Sequence, residues 1–216
     1  MAIKGAIFDM DGTMTESMHL WIEIGRRYVE GLGIPVSPEQ TEAMTHMLLE
    51  PMALYIQDQF GVTESPNKII ADINKMVEPG YFEEVQVKPG VVEFLTELQA
   101  RGVKMVVATA TDRYLTEACL KRTGLDGFFS AIFTCGEEHC TKRTSYIYDK
   151  ARAFLGTEPE ETYIFEDTYV SILGAVQSGC HVIAMADRWA EKKRPLIEET
   201  AEQFFETMEE IEVQDL

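Results

Sequence analysis

Apolar positions fall in two spacings along the chain. Ile3 to Phe8 is a short, largely apolar run that stops at acidic residues and a glycine, and it reads as a buried strand. From Ser17 to about Gly80 the spacing turns helical. Ser37-Pro38-Glu39-Gln40 combines a capping serine, a proline at the first helical position and a glutamine at the third, which marks a helix start; Ser65-Pro66 repeats the signal. Gly31, Gly33 and Gly61 stand where such helices should stop. Lys88-Pro89-Gly90 then punctuates a return to strand–helix alternation. A helix with Val91, Val92, Phe94, Leu95 and Leu98 leads to a strand at Val103–Ala108, then a helix from about Asp112 to Thr123. Further strands are expected at Ala131–Thr134, Tyr163–Phe165 and Val182–Met185. The Glu-rich stretch from Glu198 reads as a solvated helix face plus a short apolar element at Phe204-Phe205. Continuous apolar strands alternating with helices predict an α/β fold with a parallel sheet covered on both faces. The expected division is a Rossmann-like core, 1–15 and 86–216, and an inserted all-helical cap, 16–85.

Composition narrows the partners. The formal net charge of -18 over 216 residues repels nucleic-acid phosphates and anionic membranes, so neither is expected as a partner. No apolar run is long enough to span a bilayer, and Asp9 and Asp11 arrive too early for a signal core, so a cytoplasmic location is expected. Cys135 and Cys140 flank Glu137, Glu138 and His139, but their spacing is not that of a structural zinc site; Cys119 and Cys180 are expected as reduced thiols too.

Chemistry concentrates at strand ends, where open parallel sheets bind ligands. Phe8-Asp9-Met10-Asp11-Gly12-Thr13 places two acids one residue apart as the chain leaves a strand, and alternation should point them the same way. Such a pair suits a nucleophile beside a general acid, and Gly12 would let backbone amides approach a phosphate. A calcium loop counted from Asp9 fails, because Met14 and Leu20 occupy the positions that need Gly and Glu. Thr109 ends an apolar strand before Ala110, while Thr111 is expected to cap the following helix. Lys142 lies in a loop, and Glu166-Asp167 emerges from a buried strand, where carboxylates need a partner or a metal.

Asp-x-Asp-Gly-Thr, a strand-end Thr, a Lys and Glu-Asp in this order resemble the haloacid-dehalogenase-like hydrolase superfamily. Glu166-Asp167 followed by Gly174-Ala175 and Gly179 strengthens the likeness, and the helical insert looks like the small cap of the β-phosphoglucomutase-like branch. The resemblance implies that Asp9 forms an aspartyl phosphate and that Asp11 is the acid and base. It further implies that Asp9, Asp11 through its carbonyl, Asp167 and nearby Glu166 hold Mg²⁺. Gly12, Thr109, Ala110 and Lys142 would bind the phosphoryl group. There are three departures from the family pattern: Met14 with Glu16, Arg143-Thr144-Ser145 in place of the prolines after the lysine, and Ser171 for Gly. Arg143 could share the role of Lys142.

The same core serves phosphatases and phosphomutases. A mutase must bind a second phosphate, yet from Arg27 to Lys68 there is no intervening Lys or Arg. That span holds Glu30, Glu39, Glu42, Glu50, Asp58 and Glu64, with His46 the one potential cation. A Mg²⁺-dependent phosphatase of small phosphate monoesters is therefore expected, with a mutase or a non-catalytic binding protein as alternatives. Met14, Met18, Trp21, Met44, Met47 and Met52 are expected mainly as helix core.

Overall fold

A computed structural model describes residues 3–45 and 47–216; Met1, Ala2 and His46, the potential cation named above, lie outside the described residues. In chain order the elements are β1 (Gly5–Phe8), α1 (Met18–Trp21), α2 (Ile24–Gly31), α3 (Pro38–Thr45), α4 (Leu49–Phe60) and α5 (Pro66–Pro79). A π-turn at Gly80–Glu84 precedes α6 (Val91–Ala100), β2 (Lys104–Thr109), α7 (Arg113–Thr123), β3 (Ile132–Thr134) and α8 (Tyr146–Leu155). Then follow β4 (Thr162–Glu166), α9 (Tyr169–Val176), β5 (His181–Met185), α10 (Arg194–Thr200) and β6 (Gln203–Phe205). The chain forms two compact units, Met1–Ser17 with Val85–Leu216, and Met18–Glu84.

The larger unit is a Rossmann-like α/β core. Its six strands are all parallel in the order β3-β2-β1-β4-β5-β6. Strand order runs outward from β1 in both directions, which places the carboxyl end of β1 where such sheets hold their ligands. Every residue of β1 and β4 is buried, as a sheet covered on both faces requires. The Phe8 and Phe165 rings stack at 4.5 Å and Phe94 meets Phe165 edge-on at 5.3 Å. This aromatic block lies one residue before Asp9 and Glu166 and fixes the backbone from which they emerge. After Glu198 the expected helix face extends only to Thr200, and the short apolar element expected at Phe204-Phe205 is part of a strand. Helix α10 ends at Thr200, and Gln203–Phe205 pairs with β5 as a sixth strand, satisfying what would otherwise be an open edge. Met208, Ile211, Val213 and Leu216 beyond it are buried.

The smaller unit is all helical among its described residues. Ser37 and Gln40 form the expected reciprocal cap, with N–H to side-chain distances of 2.9 and 3.2 Å. Ser65 accepts from the Lys68 amide at the start of α5. Met14, in the larger unit, and Met44 and Met52, here, are buried core, whereas Met18, Trp21 and Met47 are half-buried. Gly25 allows α2 to lie against the sulfurs of Met44 and Met52, where a Cβ would have about 2.8 Å of room. Glu30, Glu39, Glu42, Glu50, Asp58 and Glu64 are all exposed.

Candidate active site

Asp9 is the first residue beyond β1. Its amide still donates to Phe165 O at 3.0 Å, so the β1–β4 ladder continues one step and brings Asp9 level with Glu166. Lys142 Nζ donates to Asp9 Oδ1 and, at 2.6 Å, to Glu166 Oε1. Tyr148 OH donates to the same Glu166 oxygen at 2.8 Å. Asp167 Oδ1 accepts a long bond from Thr13 Oγ1 at 3.4 Å, and Asp167 Oδ2 is buried without a partner. All four charged groups are buried.

The electrostatics follow from three carboxylates and one ammonium in a dry site. Burial opposes the Lys142 charge, but Asp9 and Glu166 outweigh it and raise the lysine pKa. Burial pushes Glu166 up to about 7, with Lys142 pulling it down and Asp9 pushing it further up. Asp167 is raised well above the usual carboxylate range by burial and then by Asp9, Glu166 and Asp187. One oxygen from each of Asp9, Glu166 and Asp167 lies within 4.8 Å of the others. A partnerless buried carboxylate oxygen in an excess of negative charge, surrounded by oxygen donors, fits a hard divalent cation such as Mg²⁺.

The other predicted residues fall into a second group. Strand geometry ends at Phe8; beyond it the amides of Met14 and Thr15 both donate to Met10 O, at 2.9 and 3.0 Å, and the chain curls. The alternation argued for Asp9 and Asp11 presumes a strand, and Asp11 lies three residues beyond the end of β1. The Asp11 carboxylate is not among the three clustered ones; it accepts from Ser17 Oγ at 2.5 Å and Thr111 Oγ1 at 2.7 Å. Thr111 thus serves Asp11 and not the helix cap, a position that Asp112 occupies. Thr109 is fully buried and its hydroxyl oxygen accepts from the Thr111 amide at 3.1 Å, while Ala110 is exposed. Gly12 takes φ +86°, a conformation that favours glycine, and its own amide is spent on Thr15 O at 3.0 Å. Arg143 is exposed, and Arg113, on α7, is engaged by Glu137 at 2.6 Å. The four cysteines are free thiols.

Several contacts were not anticipated from sequence. Tyr148 sits on the buried face of α8, and its spacing signalled only core. Gly174 allows α9 to abut the Lys142 backbone, where a Cβ would overlap Lys142 O. Lys88 marked only a turn, yet its ammonium donates to Gly12 O, to Ala186 O at 2.8 Å and to Asp187 Oδ2 at 3.0 Å.

Comparison with known proteins bears on the family and the fold. The model of the haloacid dehalogenase-like hydrolase family matches residues 6–185. The chain is 27% identical over 192 residues to hexitol phosphatase A of Escherichia coli, covering 86% of this chain and 84% of that protein. It is 28% identical over 195 residues to the protein CbbY of Rhodobacter capsulatus, with 85% of each covered. Among solved structures, CbbY of Rhodobacter sphaeroides in complex with phosphate superposes with a TM-score of 0.83 at 19% identity, covering 99% of this chain and 100% of that one. With five-sixths of its length matched by one family model, and with that family's fold, the chain belongs to the haloacid dehalogenase-like hydrolases.

Proposed function

We propose that the protein is a Mg²⁺-dependent phosphatase of small phosphate monoesters that works through an aspartyl phosphate on Asp9. The observation that carries this reading is the Asp9 carboxylate at the end of β1, held by the buried Lys142 beside an Asp167 oxygen that has no partner. Asp9 attacks phosphorus, the bond to the leaving oxygen breaks, and Asp11 gives that oxygen its proton. Asp11 then takes a proton from the water that cleaves the aspartyl phosphate, which returns Asp9 as a carboxylate and releases inorganic phosphate. Thr111 and Ser17 hold the Asp11 carboxylate through both transfers. Lys142 fixes one oxygen of Asp9 and, with the Thr109 hydroxyl, offers positive and polar groups to the phosphoryl oxygens. Glu166, itself held by Tyr148, holds Lys142 in place. Asp9, Asp167 and the Asp11 carbonyl, with Glu166 beside them, would hold Mg²⁺, which when bound offsets the charge of phosphate and carboxylate together.

The substrate class follows from relatives and charge. Hexitol phosphatase A is named for a phosphorylated polyol, and we read this chain as acting on sugar or polyol monophosphates. The span from Arg27 to Lys68 lacks intervening lysine and arginine, which favours a neutral leaving group over a second phosphate. The test is turnover of paired substrates, a sugar monophosphate and its bisphosphate, with Mg²⁺ and with chelator, by wild type and Asp9→Asn. The monophosphate should be preferred, and both chelator and the Asn variant should abolish turnover. Wild-type turnover by Asp9→Asn would remove the nucleophile from this mechanism, and a clear preference for the bisphosphate would favour a mutase.

A further inference from the structure

Lys88 belongs to none of the chemistry-bearing motifs named above, yet it is tied at both ends to the turn that follows Asp9. Its amide donates to Met14 O at 2.9 Å, and its ammonium donates to Gly12 O. An ammonium has three N–H donors, and the remaining two go to Ala186 O at 2.8 Å and Asp187 Oδ2 at 3.0 Å. The Lys88 side chain is 11% exposed and that of Asp187 3%. Asp187 is itself anchored, accepting from the Trp189 amide at 2.9 Å. The backbone that follows is fixed too, because Gly90 at φ +78° packs on the Glu209 amide with no room for a Cβ.

This ammonium joins two segments that flank Asp167. On one side, the carbonyl it grips belongs to the peptide leading into Thr13, whose hydroxyl donates to Asp167 Oδ1. On the other, Ala186 and Asp187 follow β5, the strand paired with β4, which leads into Asp167. Surface lysines are mobile and solvated, whereas a largely enclosed one with three fixed acceptors holds them at mutual distances set by one nitrogen.

We propose that Lys88 is a positioning residue, a clasp that holds the Gly12–Thr13 peptide against the end of β5 and so fixes the Asp167 carboxylate for a divalent cation. The proposal rests on the reading of Asp167 as a cation ligand. Its companion, Asp187, keeps the ammonium paired.

The experiment compares wild type, Asp187→Asn and the double variant Lys88→Met with Asp187→Asn, so that no buried charge is left alone. Three quantities are read: amide hydrogen exchange across residues 9–15, Mg²⁺ affinity by titration calorimetry, and kcat separately from KM. The double variant should exchange at least tenfold faster across residues 9–15 with α7 unchanged. It should bind Mg²⁺ about 10–100-fold more weakly, and lose a similar factor in kcat with KM nearly constant. Asp187→Asn alone, which leaves Lys88 two carbonyls, should lose much less. Wild-type exchange and Mg²⁺ affinity in the double variant would overturn the clasp, as would equal losses in Asp187→Asn. Should the double variant not fold, Lys88→Arg keeps the charge but cannot place one nitrogen among three acceptors, and the same losses are expected of it. Failure of wild type to bind Mg²⁺ would instead sink the metal reading, and the exchange result would then judge the clasp by itself.

Discussion

Replacing Lys142 with methionine removes the only ammonium bonded to Asp9 and Glu166 among the described residues and preserves most of the volume of the side chain. The lysine side chain is 8% exposed, Asp9 7% and Glu166 1%. Water therefore cannot take over the lost partner without opening the site. Breaking one side of a buried ion pair costs about 3–5 kcal/mol, because the remaining charge is left uncompensated. Here two carboxylates lose their partner with a third close by, so the upper half of that range is expected in metal-free protein. With a urea slope of about 2 kcal/mol per molar, the unfolding midpoint should fall by about 2 M. Adding Glu166→Gln removes one of the stranded charges and should recover part of the loss. Arg143→Ala, one residue along and exposed, should change stability by less than about 0.5 kcal/mol. The assay is urea unfolding of the four proteins in chelator, followed by far-UV circular dichroism. A midpoint shift for Lys142→Met no larger than that for Arg143→Ala would show that the carboxylates are not held by this lysine, and the site as described would be wrong.

Three further outcomes are expected. Gly174→Ala drives a Cβ into the Lys142 carbonyl, so it should cost about 1–3 kcal/mol in melting experiments and lower kcat by displacing the lysine. Mg²⁺ at a hundred times its dissociation constant should stabilise wild type by about 2.7 kcal/mol, and Asp167→Ala should lose nearly all of that increment in a thermal-shift titration. Thr111→Val removes a hydroxyl bonded to Asp11 and should lower kcat about tenfold, with KM little changed, in steady-state assays.

The fold was readable because its strands are continuous apolar runs bounded by glycine and by helix starts. The Ile3–Phe8 run and the Tyr163–Phe165 run both became central strands, and Ser37-Pro38 and Ser65-Pro66 both opened helices. Phe204-Phe205 stood out as a short apolar element but could not be named a strand, because three residues in a Glu-rich stretch carry no alternation of their own. Only the open edge of β5 makes them a strand, and an edge is a property of the assembled sheet. Asp9, Lys142, Glu166 and Asp167 could be named from motif order, and the structure brings these four together. The surroundings of Asp11 could not be had from alternation, since β1 ends at Phe8. Its hydroxyl partners come from Ser17 and from Thr111, 100 residues away in sequence. Lys88 and Asp187, 99 positions apart, left no local sign that they would pair.

The loop that carries Lys142 shows how a weak local signal can still yield a defined position. Arg143-Thr144-Ser145 contains no proline, so the loop has no built-in stiffness, and a lysine in such a loop would ordinarily be solvated. Two features outside the loop decide otherwise. Helix α9 approaches the Lys142 carbonyl through the missing Cβ of Gly174, which leaves the backbone little room to move. Glu166, fully buried and bonded to Tyr148, provides an acceptor at the depth where the ammonium must end. The backbone is thus confined from behind and the charge drawn from in front, and Asp9 lies where the two constraints meet. A proline-containing loop would restrict the same backbone from within; here the packing of α9 restricts it from outside, so the position of Lys142 should be as sensitive to Gly174 as to any residue of the loop itself.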